Sequence, residues 1–190
     1  VLLTVVSVLG LITVAGYTML AVRSHDRSGR EAQIRVTVEA AAGVLAWAHQ
    51  LETSGKLPRE EAQALAKQAI AQMRYGKDEY LFISDMASPA NFVMHPIKLE
   101  LNGKGVSTGD GAALLDIFAK KVQHEKGGLV SYQWPKPGSE KPAENVSYVQ
   151  GFAPWGWIIG SGMYTDDLEA EFLAYALQGA ATLVLAALII

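Results

Sequence analysis

A chain of 190 residues with 16 Lys+Arg, 19 Asp+Glu and no cysteine excludes a disulfide scaffold, a thiol nucleophile and a Cys-ligated metal site. Its formal net charge of −3 gives no reason to expect nucleic acid as a partner. Every charged side chain lies between Arg23 and Glu171, so a domain of ordinary globular composition sits between two apolar ends, which excludes a disordered, collagen-like or multi-span chain.

Val1 to Val22 is interrupted only by Thr, Ser, Gly and Tyr. A helix of that length covers about 33 Å, enough for a hydrocarbon core of ~30 Å. The reading is a first transmembrane helix over 1–22. Ser24 to Thr53 contains no Pro and places Ile34, Val38, Ala41, Leu45 and Ala48 at alternating steps of four and three. This predicts one long helix continuing from the span, with a stripe that faces either its own sheet or a partner helix. Ser54-Gly55 stops it. Pro58 opens a second helix with Ala62, Leu65, Ala69 and Met73 on one side, ending near Tyr75-Gly76.

From Tyr80 the period changes to two. Tyr80–Ser84 and Asn91–His95 read as short strands, Asn102–Gly111 as a Gly-rich loop, and Ala112–Glu125 as a helix with Leu115, Phe118 and Val122 on its apolar side. Gly127-Gly128 ends that helix. Leu129–Trp134, Glu144–Phe152 and Gly156–Tyr164 follow as strands, with a turn at Pro135-Lys136-Pro137-Gly138. Five short strands behind segregated helices predict an α+β domain with an antiparallel sheet over 23–172. Leu173–Ile190 carries no charge and reads as the start of a second transmembrane helix.

Alternation puts Val130, Tyr132 and Trp134 on one face, and Tyr80 with Phe82 on one face. It separates Asn145 and Ser147 from Val146 and Tyr148. Buried tyrosines, a Trp and a His on one small sheet carry polar tips that need partners, which a small polar ligand supplies as well as protein does. Ordinary core packing is the competing explanation. Gly105-Val106-Ser107-Thr108-Gly109 matches the G-x-S-x-G elbow of hydrolases, but that motif needs a parallel sheet. Ser107 therefore carries only a minority reading, a membrane-tethered hydrolase. The four histidines, His25, His49, His95 and His124, are scattered, and neither a metal nor a cofactor is expected.

Met94-His95-Pro96, Tyr132 to Gly138, Ser147-Tyr148-Val149, and Pro154 to Gly162 with Tyr164 and Asp166-Asp167 occur in that order. Together they resemble the single Cache domain (type 2) of bacterial methyl-accepting chemotaxis receptors, over about Arg23 to Glu171. The resemblance implies a PAS-like five-stranded antiparallel sheet behind a long N-terminal helix, a ligand pocket on the sheet, and no enzymatic activity. It implies a short organic acid such as acetate, propionate or pyruvate as ligand. It also implies a homodimer in the bacterial cytoplasmic membrane with the sensor domain periplasmic or extracellular. A cytoplasmic signalling module on the same chain would couple to a histidine kinase and adaptor; a histidine kinase or diguanylate cyclase module is the alternative. The candidate ligand residues are Arg74 for charge, Tyr80, His95, Tyr132, Asn145 and Tyr148 for the ligand oxygens, and Trp134 for the apolar tail. Relatives often carry a basic residue where Asn145-Val146 stands, and a tighter turn where Met86–Ala90 stands. Protonated His95 is expected to bind the carboxylate, so affinity should weaken as pH rises past ~6.5.

Overall fold

The computed structural model describes residues 2–76, 79–87, 89–106, 114–136 and 138–165, together with 174 and 177–179; within the first helix, side chains are described at 13, 16, 17 and from 27 onward. The chain divides into two units: residues 1–30 with 166–190, and Glu31–Thr165. The first expected span is helical in backbone from Leu2, but most of its side chains lie outside the described residues, as does most of 173–190. Among the described residues no helix is long and apolar enough to cross a membrane.

Helix α1 runs Leu2–Thr53 without a break. The stripe Ile34, Val38, Ala41, Leu45 and Ala48 is buried along its whole length. Its 3.5-residue spacing keeps these side chains on one side of the helix. Val38, Ala41, Leu45 and Ala48 join Leu81, Ile83, Trp157 and Ile159 in one core cluster, so this part of the stripe faces its own sheet. Helix α2 spans Arg59–Gln72 and buries Ala62, Ala66 and Ile70, not the expected Leu65–Ala69–Met73 face. Only Ala62 is common to the two faces. A ladder of small side chains at i, i+4 lets the helix approach closely, while Leu65 is left half-buried at the rim.

The second helix also ends earlier than expected. Arg74–Tyr75 forms a two-residue strand, β1, paired with β2 (Glu79–Asp85). The sheet therefore has six strands, with β3 at Phe92–Met94, β4 at Gly127–Pro135, β5 at Pro142–Phe152 and β6 at Trp157–Tyr164. The order is β1-β2-β6-β5-β4, with β3 also paired to β2. All strand pairings are antiparallel. Beyond β1, the five expected strands are present.

Helix α3 (Leu114–Glu125) covers the opposite face of the sheet. Its Leu115, Phe118 and Val122 pack with Phe82, Phe92, Trp134, Val149 and Ile158 in a second cluster. Lys126, and not the expected Gly127-Gly128, takes the left-handed conformation after α3, with φ of 60°. Both glycines enter β4, where a Cβ on Gly127 would press on Val149 O and the Tyr148 hydroxyl. Ser107 and residues 108–113 lie outside the described residues.

Candidate ligand-binding site

The period of two divides the candidate residues between the faces of the sheet. Opposed residues of antiparallel strands share a face. Tyr132 opposes Asn145, which opposes Tyr164. Val130 opposes Ser147, which opposes Gly162. Phe82 and Val149 both oppose Gly160. These residues, with Tyr80 and Trp134, look toward α3. Tyr148 opposes Ser161, which opposes Leu81, and packs on the α1 cluster. The structure thus removes Tyr148 from the company of Tyr132 and Asn145, since neighbouring residues of one strand point to opposite sides.

Arg74 is likewise not brought in. It is exposed, and its guanidinium donates to Ala71 O and Met73 O, both at 2.8 Å. The three carbons of its side chain fold back over the last turn of α2, where free carbonyls attract a cation.

The remaining five come together. His95 is buried and packs on Tyr80 (ring centroids 5.1 Å), Phe92 (5.2 Å) and Trp134 (6.1 Å). Tyr132 lies 6.5 Å from Trp134 and 5.4 Å from Phe118. The Ser147 hydroxyl donates to Asn145 Oδ1 at 3.2 Å. That uses its single proton, so in the 2.8 Å contact between Tyr132 and Ser147 the tyrosine must donate. The chain Tyr132→Ser147→Asn145 leaves the Asn145 amide N–H groups pointing outward from the network. Gly162 makes room for it: a Cβ there would collide with Asn145 Oδ1 and Ser147 Oγ.

Burial pushes the Tyr132 hydroxyl well above its ordinary range, opposed by the Ser147 hydrogen bond. Burial also raises Tyr80, whose hydrogen-bond partners are Trp134 and Tyr164. His95 moves the other way. Burial first, and the Lys98 charge second, lower it from 6.5 to about 4. Its Nδ1 accepts N–H groups from Ile97 (3.3 Å) and Lys98 (3.0 Å). An acceptor Nδ1 fixes the neutral tautomer with hydrogen on Nε2. The expectation of a protonated His95 is therefore corrected: the ring is neutral at physiological pH, with its Nε2 N–H left as a donor and no charge to offer.

Among the described residues, neither His95 Nε2 nor the Asn145 amide nitrogen has a protein acceptor. Two neutral donors, two buried phenols and an aromatic wall suit a small anion with a short apolar part. Lys98, which sequence reasoning did not single out, stands with its Nζ 4.8 Å from the centre of the Trp134 ring. Its signal was its place two residues beyond His95-Pro96, in a turn the histidine closes. Ser147, Phe92 and Phe118 were also missed as members of this face; the separation of Asn145 and Ser147 from Tyr148 already contained Ser147. No group of three His, Cys, Asp or Glu side chains gathers to hold a metal among the described residues.

A polar and aromatic cluster on one face of an antiparallel sheet, under one helix and behind a long N-terminal helix, is an arrangement used by sensor domains. Residues 27–178 match the family model for single Cache domain 2, and the chain belongs to that family. It is 39% identical over 174 residues to the methyl-accepting chemotaxis protein McpP of Pseudomonas putida KT2440, covering 90% of this chain and 32% of that protein. It is 32% identical over 118 residues to the sensor histidine kinase MctS of Rhizobium johnstonii, covering 57% of this chain and 24% of that one. The chain thus spans about a third or less of the curated relatives it matches. A solved Cache chemosensory domain, described for its recognition of carboxylic acids, is 35% identical with a TM-score of 0.69, covering 74% of this chain and 97% of that one.

Proposed function

We propose that this region senses a short-chain carboxylate outside the cytoplasmic membrane and passes the signal to a cytoplasmic module. The observation that carries the reading is the polar cluster on the α3 face of the sheet, where Tyr132 and Ser147 orient the buried Asn145 and leave its amide N–H groups, with the Nε2 N–H of buried His95, as donors without a protein acceptor among the described residues. A carboxylate accepts from several donors at once and gains more per bond than a neutral acceptor. Phe82, Phe92, Phe118 and Trp134 on the same face limit the apolar tail to a short one.

The sequence and its relatives support the receptor setting. The uncharged ends 1–22 and 173–190 anchor the domain on both sides, leaving it periplasmic or extracellular. McpP, a methyl-accepting chemotaxis protein, supports an output module that acts through a histidine kinase and adaptor, in a homodimer. MctS favours a second reading of the output alone, a kinase on the same chain. The domain binds its ligand and does no chemistry in either case.

The test is calorimetric titration of the detergent-solubilised chain with acetate, propionate and pyruvate, and with propionamide as the neutral isostere. Saturable binding of at least one carboxylate and none of propionamide is expected. Equal binding of propionate and propionamide, or heat from none of the three carboxylates, contradicts the reading.

A further inference from the structure

We infer that Lys98 supplies the positive charge that pairs with the ligand's carboxylate, and that His95 is the residue that positions it. The inference rests on the carboxylate reading above and deepens it. Asn145 brings no charge, Arg74 is spent on the carbonyls of Ala71 and Met73, and His95 is neutral by the bonds its Nδ1 accepts. Among the described residues two lysines lie over rings of this face: Lys136 with its Nζ 5.5 Å from the centre of Tyr164 at the far end of β4, and Lys98 with its Nζ 4.8 Å from the centre of Trp134, beside His95. An aromatic face attracts the ammonium but offers no lone pair, so its N–H donors stay available to an oxyanion.

What holds a flexible lysine there is the turn that bears it. Phe92 to Lys104 forms a closed strap. Gly103 N–H donates to Phe92 O at 2.7 Å, and Phe92 N–H donates to Lys104 O at 2.9 Å. Asn102 Oδ1 accepts the His95 backbone N–H at 2.7 Å. Inside the strap, the His95 ring takes the N–H groups of Ile97 and Lys98 on its Nδ1. The ring is itself clamped by Tyr80, Phe92 and Trp134. The same imidazole therefore sets the backbone of Lys98 and contacts the indole over which the Lys98 ammonium lies. His95 acts through Lys98: it turns a loop cation into a fixed one.

The experiment titrates propionate into the full chain and its variants by calorimetry, with thermal melts to confirm folding. Lys98→Met should weaken binding about tenfold or more, which is ~1.4 kcal/mol or more, while Lys98→Arg should stay within about threefold. Arg74→Met should bind like the parent. His95→Ala should lose at least as much as Lys98→Met, since it removes both the Nε2 donor and the support of Lys98. His95→Asn, which keeps an acceptor near the Nδ1 position, should recover part of that loss. The double variant His95→Ala/Lys98→Met should lose clearly less than the two single losses multiplied, because the share of the His95 loss that acts through Lys98 vanishes once Lys98 is gone. Parent-like binding by Lys98→Met overturns the inference while the carboxylate reading stands. Multiplying losses in the double variant, or no recovery in a folded His95→Asn, overturns the positioning role. If the parent takes up none of acetate, propionate and pyruvate, the carboxylate reading fails and this inference falls with it; if it prefers acetate or pyruvate, the same variants are titrated with that acid.

Discussion

His95 Nδ1 faces two backbone donors, and a proton placed there would break both bonds. The charged group that faces the ring is Lys98, on its own segment, which repels a second positive charge; β2 presents Tyr80, and β4 presents Trp134. A base whose folded pKa is near 4, against 6.5 unfolded, leaves the unfolded chain binding more protons between those values. Stability is therefore complete above about pH 6.5 and falls as pH drops toward 4, by at most ~1.4 kcal/mol per unit. Urea melts at pH 7 and pH 5 should show this loss in the parent and a smaller one in His95→Asn; identical slopes would return the histidine to an exposed, ordinary state. Propionate affinity, by the same reasoning, should be flat from pH 6.5 to 8, where a histidine acting as the charge would weaken it. At Gly162 the residue-scale constraint is space. Gly162→Ala should cost about 1–3 kcal/mol and loosen propionate binding, because Asn145 and Ser147 must give way. An unchanged melt and unchanged binding would show that the network is not held against β6.

Helix α1 was legible because one face repeats every 3.5 residues; that face is buried from Ile34 to Ala48, and from Val38 onward it packs in one cluster with the sheet. A homodimer must then use another side. Val36, Ala40, Gly43 and Trp47 are exposed at steps of four, three and four, with Val36 at 62% and Trp47 at 48% of full exposure. In membranes carrying the whole receptor, cysteines at Val36, Ala40 or Gly43 should cross-link between copies more readily than cysteines at the exposed Arg35 or Ala46. The opposite ranking would place the partner on a different side of α1. Helix α2 was misread because hydropathy favours Leu65, while the helix is seated by its small residues Ala62 and Ala66, with Ile70 completing the face. Strand β1 was hidden because two residues carry no period. It is defined by pairing with β2 and by the Tyr75 hydroxyl, which lies 2.5 Å from Ser161 Oγ. That serine donates in turn to Tyr80 O at 2.6 Å. Burial raises Tyr75 to about 12, so the link stays protonated at any physiological pH.

At the scale of the molecule, the two faces of the sheet divide the work. The α1 face holds aliphatic side chains with Trp155 and Trp157, and the Trp155 indole N–H donates to Glu52 Oε2 at 2.6 Å. The α3 face holds the aromatic wall and the polar network. Five of the six strands, and this division, were readable from alternation. Five of the seven candidate ligand residues were placed together, since they fall on that face by parity or, for His95, by contact. Tyr148 was lost to parity. Arg74 and Lys98 were not readable, because where a long cation ends depends on loop closure, which leaves no periodic trace. The four tryptophans offer a direct test of which face binds. Trp134 is on the α3 face, Trp155 and Trp157 are on the α1 face, and Trp47 is exposed. Indole N–H signals of the ¹⁵N-labelled chain, followed through a propionate titration in detergent, should show Trp134 shifting saturably while the other three stay in place. A saturable shift of Trp155 and Trp157 with Trp134 unmoved, or no shift in any of the four, would contradict a carboxylate site on the α3 face.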